Sequence, residues 1–452
     1  MAKKSEIKCI LDEKALHTVM LDAEKCRGCV TCMKRCPTEA IRVRGGKASV
    51  AYERCIGCGE CIRLCRYQAK KPSHDSWDTL ADFKYKIALV APSFYGQFNN
   101  LESIDIVLNG LLAAGFDDVG EVGEAAEYVT DVTRMIMKDG SLPMPIISTA
   151  CPAILELILM KYHDLSSHLL GTLAPVDVAA KLARERAIAK GVPEEDIGVY
   201  FVSPCPAKVF ALKMGLGVER PYVDRVLSVS EVYMHVLPAM EKLTEVRTMS
   251  TMSSTGLNWG ISRGEANSTK GIKTIAADGV EQCVKILEAL EDGGLGDIEF
   301  IELNACVSGC VGGVMNVENA FVARSRLHYL SRNLKKERNT VEKLGKPVEW
   351  FMWEQNPNLK DVFKLDDNRL AALSKLMEKE EILKTLPMVD CGLCGAPSCT
   401  AFAEDLVGGV IPRDSVCVRM QAENAAKGAK DSETRKPAKS AKGKKTEKAN
   451  KK

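Results

Sequence analysis

From Lys86 to Glu302 the chain repeats one pattern, a short apolar run that stops at small or turn-forming residues. Lys86-Ile-Ala-Leu-Val90 reads as a buried strand ended by Ala91-Pro92-Ser93. Pro145-Ile-Ile-Ser148 reads as a second strand running out at Cys151, and Ile197-Gly-Val-Tyr-Phe-Val202 as a third running out at Cys205. Residues 272–276 form a fourth, and Ile298-Glu-Phe-Ile-Glu302 a fifth that leads to Cys306 and Cys310. Continuous apolar runs of this length suit strands covered on both faces. Helical periodicity lies between them, at 101–114, 153–162 and 279–290. Alternation of this kind predicts an α/β domain. Open α/β sheets put their ligand crevice just past the carboxyl ends of the strands, where the three cysteine segments and the Ala-Pro-Ser turn fall. Downstream, 316–344 reads as one charged amphipathic helix wrapping the core and 366–384 as a second charged helical stretch.

Before residue 80 the pattern is different and is dominated by cysteine. Cys26-x2-Cys29-x2-Cys32-x3-Cys36-Pro37 is followed by Cys55-x2-Cys58-x2-Cys61-x3-Cys65. This is the bacterial two-cluster ferredoxin spacing, in which each fourth cysteine serves the other cluster. One 4Fe-4S cluster then takes Cys26, Cys29, Cys32 and Cys65, and the other takes Cys55, Cys58, Cys61 and Cys36. A zinc ribbon would use two CxxC pairs rather than interleaved quartets. Arg66 replaces the second motif's usual proline, which is expected to alter the turn and not the ligation. Near the other end stands Cys391-x2-Cys394-x4-Cys399-x17-Cys417. It resembles the small 4Fe-4S module CGxCGxxxC…C of several anaerobic redox proteins, with a zinc site as the alternative.

The remaining thiols carry the chemistry. In Glu302-Leu-Asn-Ala-Cys306-Val-Ser-Gly-Cys310-Val-Gly-Gly313 two cysteines sit four apart among small residues. Such a pair can hold a metal from one turn of chain or be ordinary core cysteines. With Cys151 and Cys205, each followed by proline, it makes four thiolates, the number one 4Fe-4S cluster needs. Ser-Thr-Ala-Cys151-Pro, Ser-Pro-Cys205-Pro-Ala-Lys208 and the Glu302–Cys310 segment resemble, in order, the three signature motifs of the iron-only (FeFe) hydrogenases. The resemblance implies an α/β hydrogenase domain at 81–370, after an α+β ferredoxin domain at 1–80 and before a 4Fe-4S module at 371–425. It implies that Cys151, Cys205, Cys306 and Cys310 hold a 4Fe-4S cluster, bridged through Cys310 to a two-iron unit bearing CO, cyanide and a dithiolate. Lys208 then matches the lysine that hydrogen-bonds one cyanide, Ala91-Pro92-Ser93 the turn serving the other, and Trp259 a phenylalanine position in a loop walling the pocket. The substrates implied are H2 and protons, with a redox partner such as ferredoxin.

The departures from the motifs are equally specific. The first cysteine of the family's TSCCP is Ala150 here, the glutamate three positions after the motif lysine is Ala211, and two methionines beside the two-iron unit are Ser203 and Asn304. In the family the thiol and the glutamate pass protons, and a methyl group cannot. Retained ligands with a cut proton path resemble the family members regarded as sensors, so the expected function is slow hydrogen turnover with an H2- or redox-sensing role. The alternatives are a fully active hydrogenase and a non-catalytic iron–sulfur electron-transfer or assembly protein without the two-iron unit. No Walker A or kinase signature occurs, so sensing would need a signalling partner.

Composition changes the picture little. Net charge over 452 residues is +2, but from Ala426 onward eleven Lys or Arg stand against three Asp or Glu. That stretch reads as a disordered solvated tail, with nucleic-acid binding disfavoured. No apolar run approaches a membrane span and no signal-peptide core is present, so eighteen cysteines read as ligands in a reducing cytoplasm. Sixteen are placed by motif. Cys283 shares a helical face with Val280, Val284 and Leu287 and is expected in the core, and Cys9 is expected to be a free thiol.

Counting iron and acid-labile sulfide in anaerobic protein tests the assignment. Four quartets imply about 16 irons, or about 18 with the two-iron unit, and stoichiometric zinc would overturn the terminal cluster.

Overall fold

The computed structural model describes residues 18–423, which divide into two compact units between Phe363 and Lys364. Cys9 and the Lys-rich tail from Ala426 lie outside the described residues. The expected boundary at 370/371 falls inside a helix, and the ferredoxin and α/β segments belong to one unit.

The first unit opens with an internal repeat. β1 (Val19–Leu21) and α1 (Thr31–Lys34) are followed by the hairpin of β2 (Ile41–Arg44) and β3 (Lys47–Val50). α2 (Glu60–Arg63) and β4 (Lys70–Pro72) complete it, with β4 antiparallel to β1. The two cysteine motifs fold alike. The backbone N–H of Ala40 donates to Cys36 Sγ and that of Ala69 to Cys65 Sγ, both at 3.3 Å. Glu39 donates to the Cys36 carbonyl at 3.2 Å and Gln68 to the Cys65 carbonyl at 2.9 Å. Arg66 therefore leaves the turn unchanged, contrary to the sequence expectation, because these hydrogen bonds define the turn without proline's ring.

Next, β5 (Tyr85–Val90) runs into α3 (Pro92–Tyr95) and α4 (Ile104–Ala113), and β6 (Asp118–Glu121) into the long α5 (Val122–Asp139). β7 (Ile146–Ile147), α6 (Pro152–Lys161) and α7 (Pro175–Ala189) lead to β8 (Ile197–Ser203) and α8 (Pro206–Met214), then to β9 (Arg225–Ser228) and α9 (Val229–Met240). Two short helices, α10 (Ser254–Asn258) and α11 (Gly264–Ser268), precede β10 (Thr274–Asp278), α12 (Val280–Glu291) and β11 (Phe300–Asn304). The strands form two parallel sheets, ordered β6-β5-β8-β9 and β10-β11-β7. Every predicted strand is present. β6 and β9 went unread because Asp118-Val-Gly-Glu121 and Arg225-Val-Leu-Ser228 are too short and polar for an apolar-run signal.

Residues 316–344 are not one helix. α13 (Ala320–Ser331), capped by Asn319, and α14 (Val341–Leu344), capped by Thr340, are separated by a polar loop. Its Asn339 is drawn out of helical register, giving a backbone N–H to the buried Glu127 at 2.6 Å. Glu127 also takes the N–H of Ser253 and Gly256, and Glu121 those of Thr251 and Met252, so carboxylates at the start of α5 hold the loop before α10. Buried backbone donors need such partners.

The second unit pairs α15 (Arg369–Thr385), capped by Asn368, with α16 (Cys399–Val407), capped by Ser398. Phe402 and Leu406 pack with Ala396 and Ala401 against Cys394, Ile382 and Leu386.

β5 is the centre of the larger sheet, and Leu89 on it is 0% exposed while Leu370 on α15 is 78% exposed. Leu89→Ala should cost about 2–5 kcal/mol in denaturant unfolding, and Leu370→Ala should stay within about 0.5 kcal/mol. Equal losses would contradict the burial.

Candidate iron–sulfur centre and its cavity

Strand ends and helix starts put the four central thiols in place. Cys151 is the N-cap of α6 and Cys205 the N-cap of α8, each followed by a proline at the first helical position. That proline removes a backbone N–H which would have no helical partner. Cys306 and Cys310 follow β11 on a tight loop. Gly309 has φ +85°, and a Cβ there would lie 2.4 Å from Ser262 N, so only glycine fits. The loop is pinned by the Ser308 carbonyl accepting from Ser262 N at 3.0 Å and by Val311 N donating to the Gly260 carbonyl at 3.1 Å.

The four thiols lie within electrostatic reach of one another. Burial pushes the Cys306 thiol well up, with Cys205, Cys151 and Cys310 adding to it. Burial also pushes Cys310 up to about 12, the Lys208 ammonium opposing and Cys205 and Cys151 reinforcing. Thiolates crowded this way need a compensating cation or metal. Among the described residues no three His, Cys, Asp or Glu side chains are grouped closely enough to hold one metal ion. A 4Fe-4S cluster suits this donor set, because it takes four thiolates, one for each of its irons.

Beside Cys310 lies a cavity of about 60 Å³. Of the residues implied by the resemblance, Ala91, Pro92, Ala150, Lys208, Trp259 and Cys310 line it, as does Asn304. Lys208 Nζ donates to the Ala150 carbonyl at 3.1 Å. Trp259 Nε1 is committed to Thr130 Oγ1 at 3.0 Å, so the indole offers the cavity only its ring. Ser93 lies behind the wall, fully buried, with no hydrogen bond to its Oγ. Ser203 binds its own loop, its Oγ donating to the Cys205 carbonyl at 3.0 Å, and Ala211 sits on α8 outside the wall.

Sequence reasoning gave no chemical role to three acids at or near this cavity. Glu265, 4% exposed, and Glu302 both line the cavity. Burial and the neighbouring Glu302 carboxylate hold the Glu265 carboxyl above its usual range, against a hydrogen bond from Ser148 Oγ at 2.5 Å. Glu302 takes the N–H of Arg263 at 3.0 Å and of Ala266 at 2.8 Å. Asp177 on α7 is pushed to about 7 by burial, with Lys208 opposing. Glu302 belongs to a motif already in view, but Glu265 and Asp177 carry no spacing signal.

The ferredoxin segment abuts this centre. Gly57, between Cys55 and Cys58, lies so close to Ala207 that a Cβ would come within 2.9 Å of its Cα. Arg63 Nη2 donates to the Gly312 carbonyl at 2.6 Å. Cys58, Cys151 and Cys205 edge the same apolar cluster. In the second unit, burial raises the Cys394 thiol, and Cys417 and Cys391 add to it, so these three thiols lie within electrostatic reach of one another. Cys399 N donates to Asp390 Oδ1 at 2.6 Å.

Comparison with known proteins agrees with this architecture. The family described as iron only hydrogenase large subunit, C-terminal domain, matches residues 84–236 and 232–314, and the chain belongs to that family. A 4Fe-4S dicluster domain matches 18–66 and an Fe–S cluster family 386–415. The periplasmic Fe hydrogenase large subunit of Nitratidesulfovibrio vulgaris is 30% identical over 220 residues, 44% of this chain and 52% of that protein. The chain thus matches about half the length of that relative. Two variants of the FeFe-hydrogenase HydA1 from Chlamydomonas reinhardtii share the fold at TM-score 0.50 and 14% identity, covering 62% of this chain and 95% of theirs. Among its described residues no helix is long and apolar enough to cross a membrane.

A raised carboxyl binds its proton more tightly folded than unfolded. The stability it contributes is full below the unfolded value of about 4.3 and is lost as pH rises through the folded value. Glu265→Gln keeps the shape without the ionisation, so its melting temperature should gain on the wild type between about pH 5.5 and about pH 8. A constant difference across that range would contradict the raised carboxyl.

Proposed function

We propose that the chain is an FeFe-hydrogenase-type enzyme with slow turnover and an H2- or redox-sensing role. In this reading Cys151, Cys205, Cys306 and Cys310 hold a 4Fe-4S cluster, with Cys310 bridging to a two-iron unit carrying CO, cyanide and a dithiolate. The fit is supported by an apolar cavity beside Cys310, one ammonium at its wall and one buried hydroxyl, Ser93, without a protein partner. When bound, that unit supplies the open metal position and the adjacent base that heterolytic hydrogen cleavage needs. Lys208 and the Ala91-Pro92-Ser93 turn would orient it through its cyanides, and Trp259 would help exclude water. The thiols of 26–65 and of Cys391, Cys394, Cys399 and Cys417 would hold three further 4Fe-4S clusters, bringing electrons from a ferredoxin-type partner. Sensing would be read by a signalling partner.

The observation that carries the slow turnover is Ala150. It lines the cavity where the family has a proton-passing thiol, and a methyl group neither gives nor takes a proton. A missing positioned acid–base group costs roughly 10²–10⁴ in rate. One observation favours a second reading, fast turnover by another route: Ser148 links to Glu265, and Glu265 faces Glu302 at the same wall.

Infrared spectra of anaerobically matured protein should carry metal-bound CO and cyanide bands, with hydrogen turnover far below that of relatives that keep the thiol. Ala150→Cys should raise turnover without changing the bands. Spectra without those bands would leave only an iron–sulfur electron carrier. Rapid wild-type turnover that collapses in Glu265→Gln would replace the first reading by the second.

A further inference from the structure

The repeat that builds the ferredoxin segment is broken at one buried position. Ala40 and Ala69 are equivalent, each giving its N–H to the fourth cysteine of its motif. The next residue is Ile41 in the first half, 2% exposed, and Lys70 in the second, 3% exposed. Packing at this place asks for hydrocarbon, and the first half supplies it. Lys70 Nζ is buried and makes no hydrogen bond within the protein. No carboxylate is paired with it among the ion pairs of the described residues. A buried ammonium without a partner is costly, so the charge needs an anionic neighbour.

The neighbours are the thiols of both motifs. The Lys70 ammonium lies within electrostatic reach of the Cys32 and Cys61 sulfurs and is the main cation acting on both. At Cys26 burial is outweighed by the N–H groups of Gly28 and Ala48 and by the ammoniums of Lys47 and Lys70. Lys70 acts on Cys55 as well. Cys26 and Cys32 belong to one predicted cluster, Cys55 and Cys61 to the other, so one cation acts on both sets of thiolates.

We propose that Lys70 is the charge partner of the two ferredoxin-type clusters and raises their reduction potentials. Each 4Fe-4S cluster with four thiolates changes from a total charge of 2− to 3− when it takes one electron from the donor, with no bond made or broken. A fixed cation nearby favours the 3− form. In low dielectric one unit charge shifts such an equilibrium by roughly tenfold or more, and tenfold is 59 mV for a one-electron couple. Lys70 is thus a positioning residue for electrons and touches no substrate. The inference rests on the cysteines of 26–65 holding two clusters, which iron content of the wild-type chain tests separately.

The experiment is an EPR-monitored redox titration of the anaerobically matured full chain. Lys70→Met should lower the potential of at least one ferredoxin-type cluster by a roughly tenfold shift in its reduction equilibrium. Lys70→Arg should keep it near the wild-type value. Lys71→Met, which removes an exposed charge one residue along, should leave it unchanged. Wild-type potentials in Lys70→Met with full iron would overturn the proposal. If Lys70→Met loads incompletely, Lys70→Gln decides. Loss of clusters from both neutral variants, with retention in Lys70→Arg, supports the charge role. Loss from all three assigns Lys70 to packing and overturns it.

Discussion

Everything in the first unit answers one electrostatic problem, how to bring many sulfur ligands together inside protein. Thiolates repel one another, and burial disfavours each of them singly. Metal charge is the main remedy, and the chain adds three smaller ones. Backbone N–H groups point at sulfur, as at Cys36 and Cys65. Helix starts carry Cys151 and Cys205, where the helix dipole favours negative charge. A few cations act on the thiols as well, Lys208 on Cys310, Arg63 on Cys306 and Lys70 on cysteines of both ferredoxin motifs.

Close packing supplies the rest. Electron transfer between metal centres needs short gaps filled with protein, and the smallest residues stand where two segments meet. Gly57 lets the Cys55–Cys58 loop lie on Ala207, two residues past Cys205, and Gly309 lets the Cys306–Cys310 loop lie on Ile261 and Ser262. The same crowding that admits no side chain shortens the path from the ferredoxin thiols to the central ones. Arg63 ties the two segments by its bond to Gly312 while placing its charge near Cys306.

The cavity combines a conservative frame with altered chemistry. Its wall is mostly apolar and carries one lysine, with the Glu265 and Glu302 carboxyls at the wall and Asp177 on α7 within electrostatic reach of Lys208. Buried carboxyls raised by burial and by one another are proton stores as well as structural anchors. Glu302 does both, since it also fixes the backbone of Arg263 and Ala266.

Much of this was legible in the chain itself. Cysteine spacing is a local code, so the dicluster segment at 18–66 and the Fe–S segment at 386–415 could be read from counting, and the apolar runs marked the strands because burial on both faces leaves no polar alternation. The sequence also determined that the central cysteines follow strand ends. Only tertiary structure decided what faces what. The break of 316–344 into two helices depends on Glu127, some two hundred residues earlier, drawing Asn339 away. The charged stretch at 366–384 forms a helix only from Arg369, to Thr385, because its cap, Asn368, is local. Glu265 and Lys70 are ordinary charged residues by local pattern. Their roles arise because chain segments far apart in sequence enclose them, and burial, unlike spacing, is a property of the whole fold.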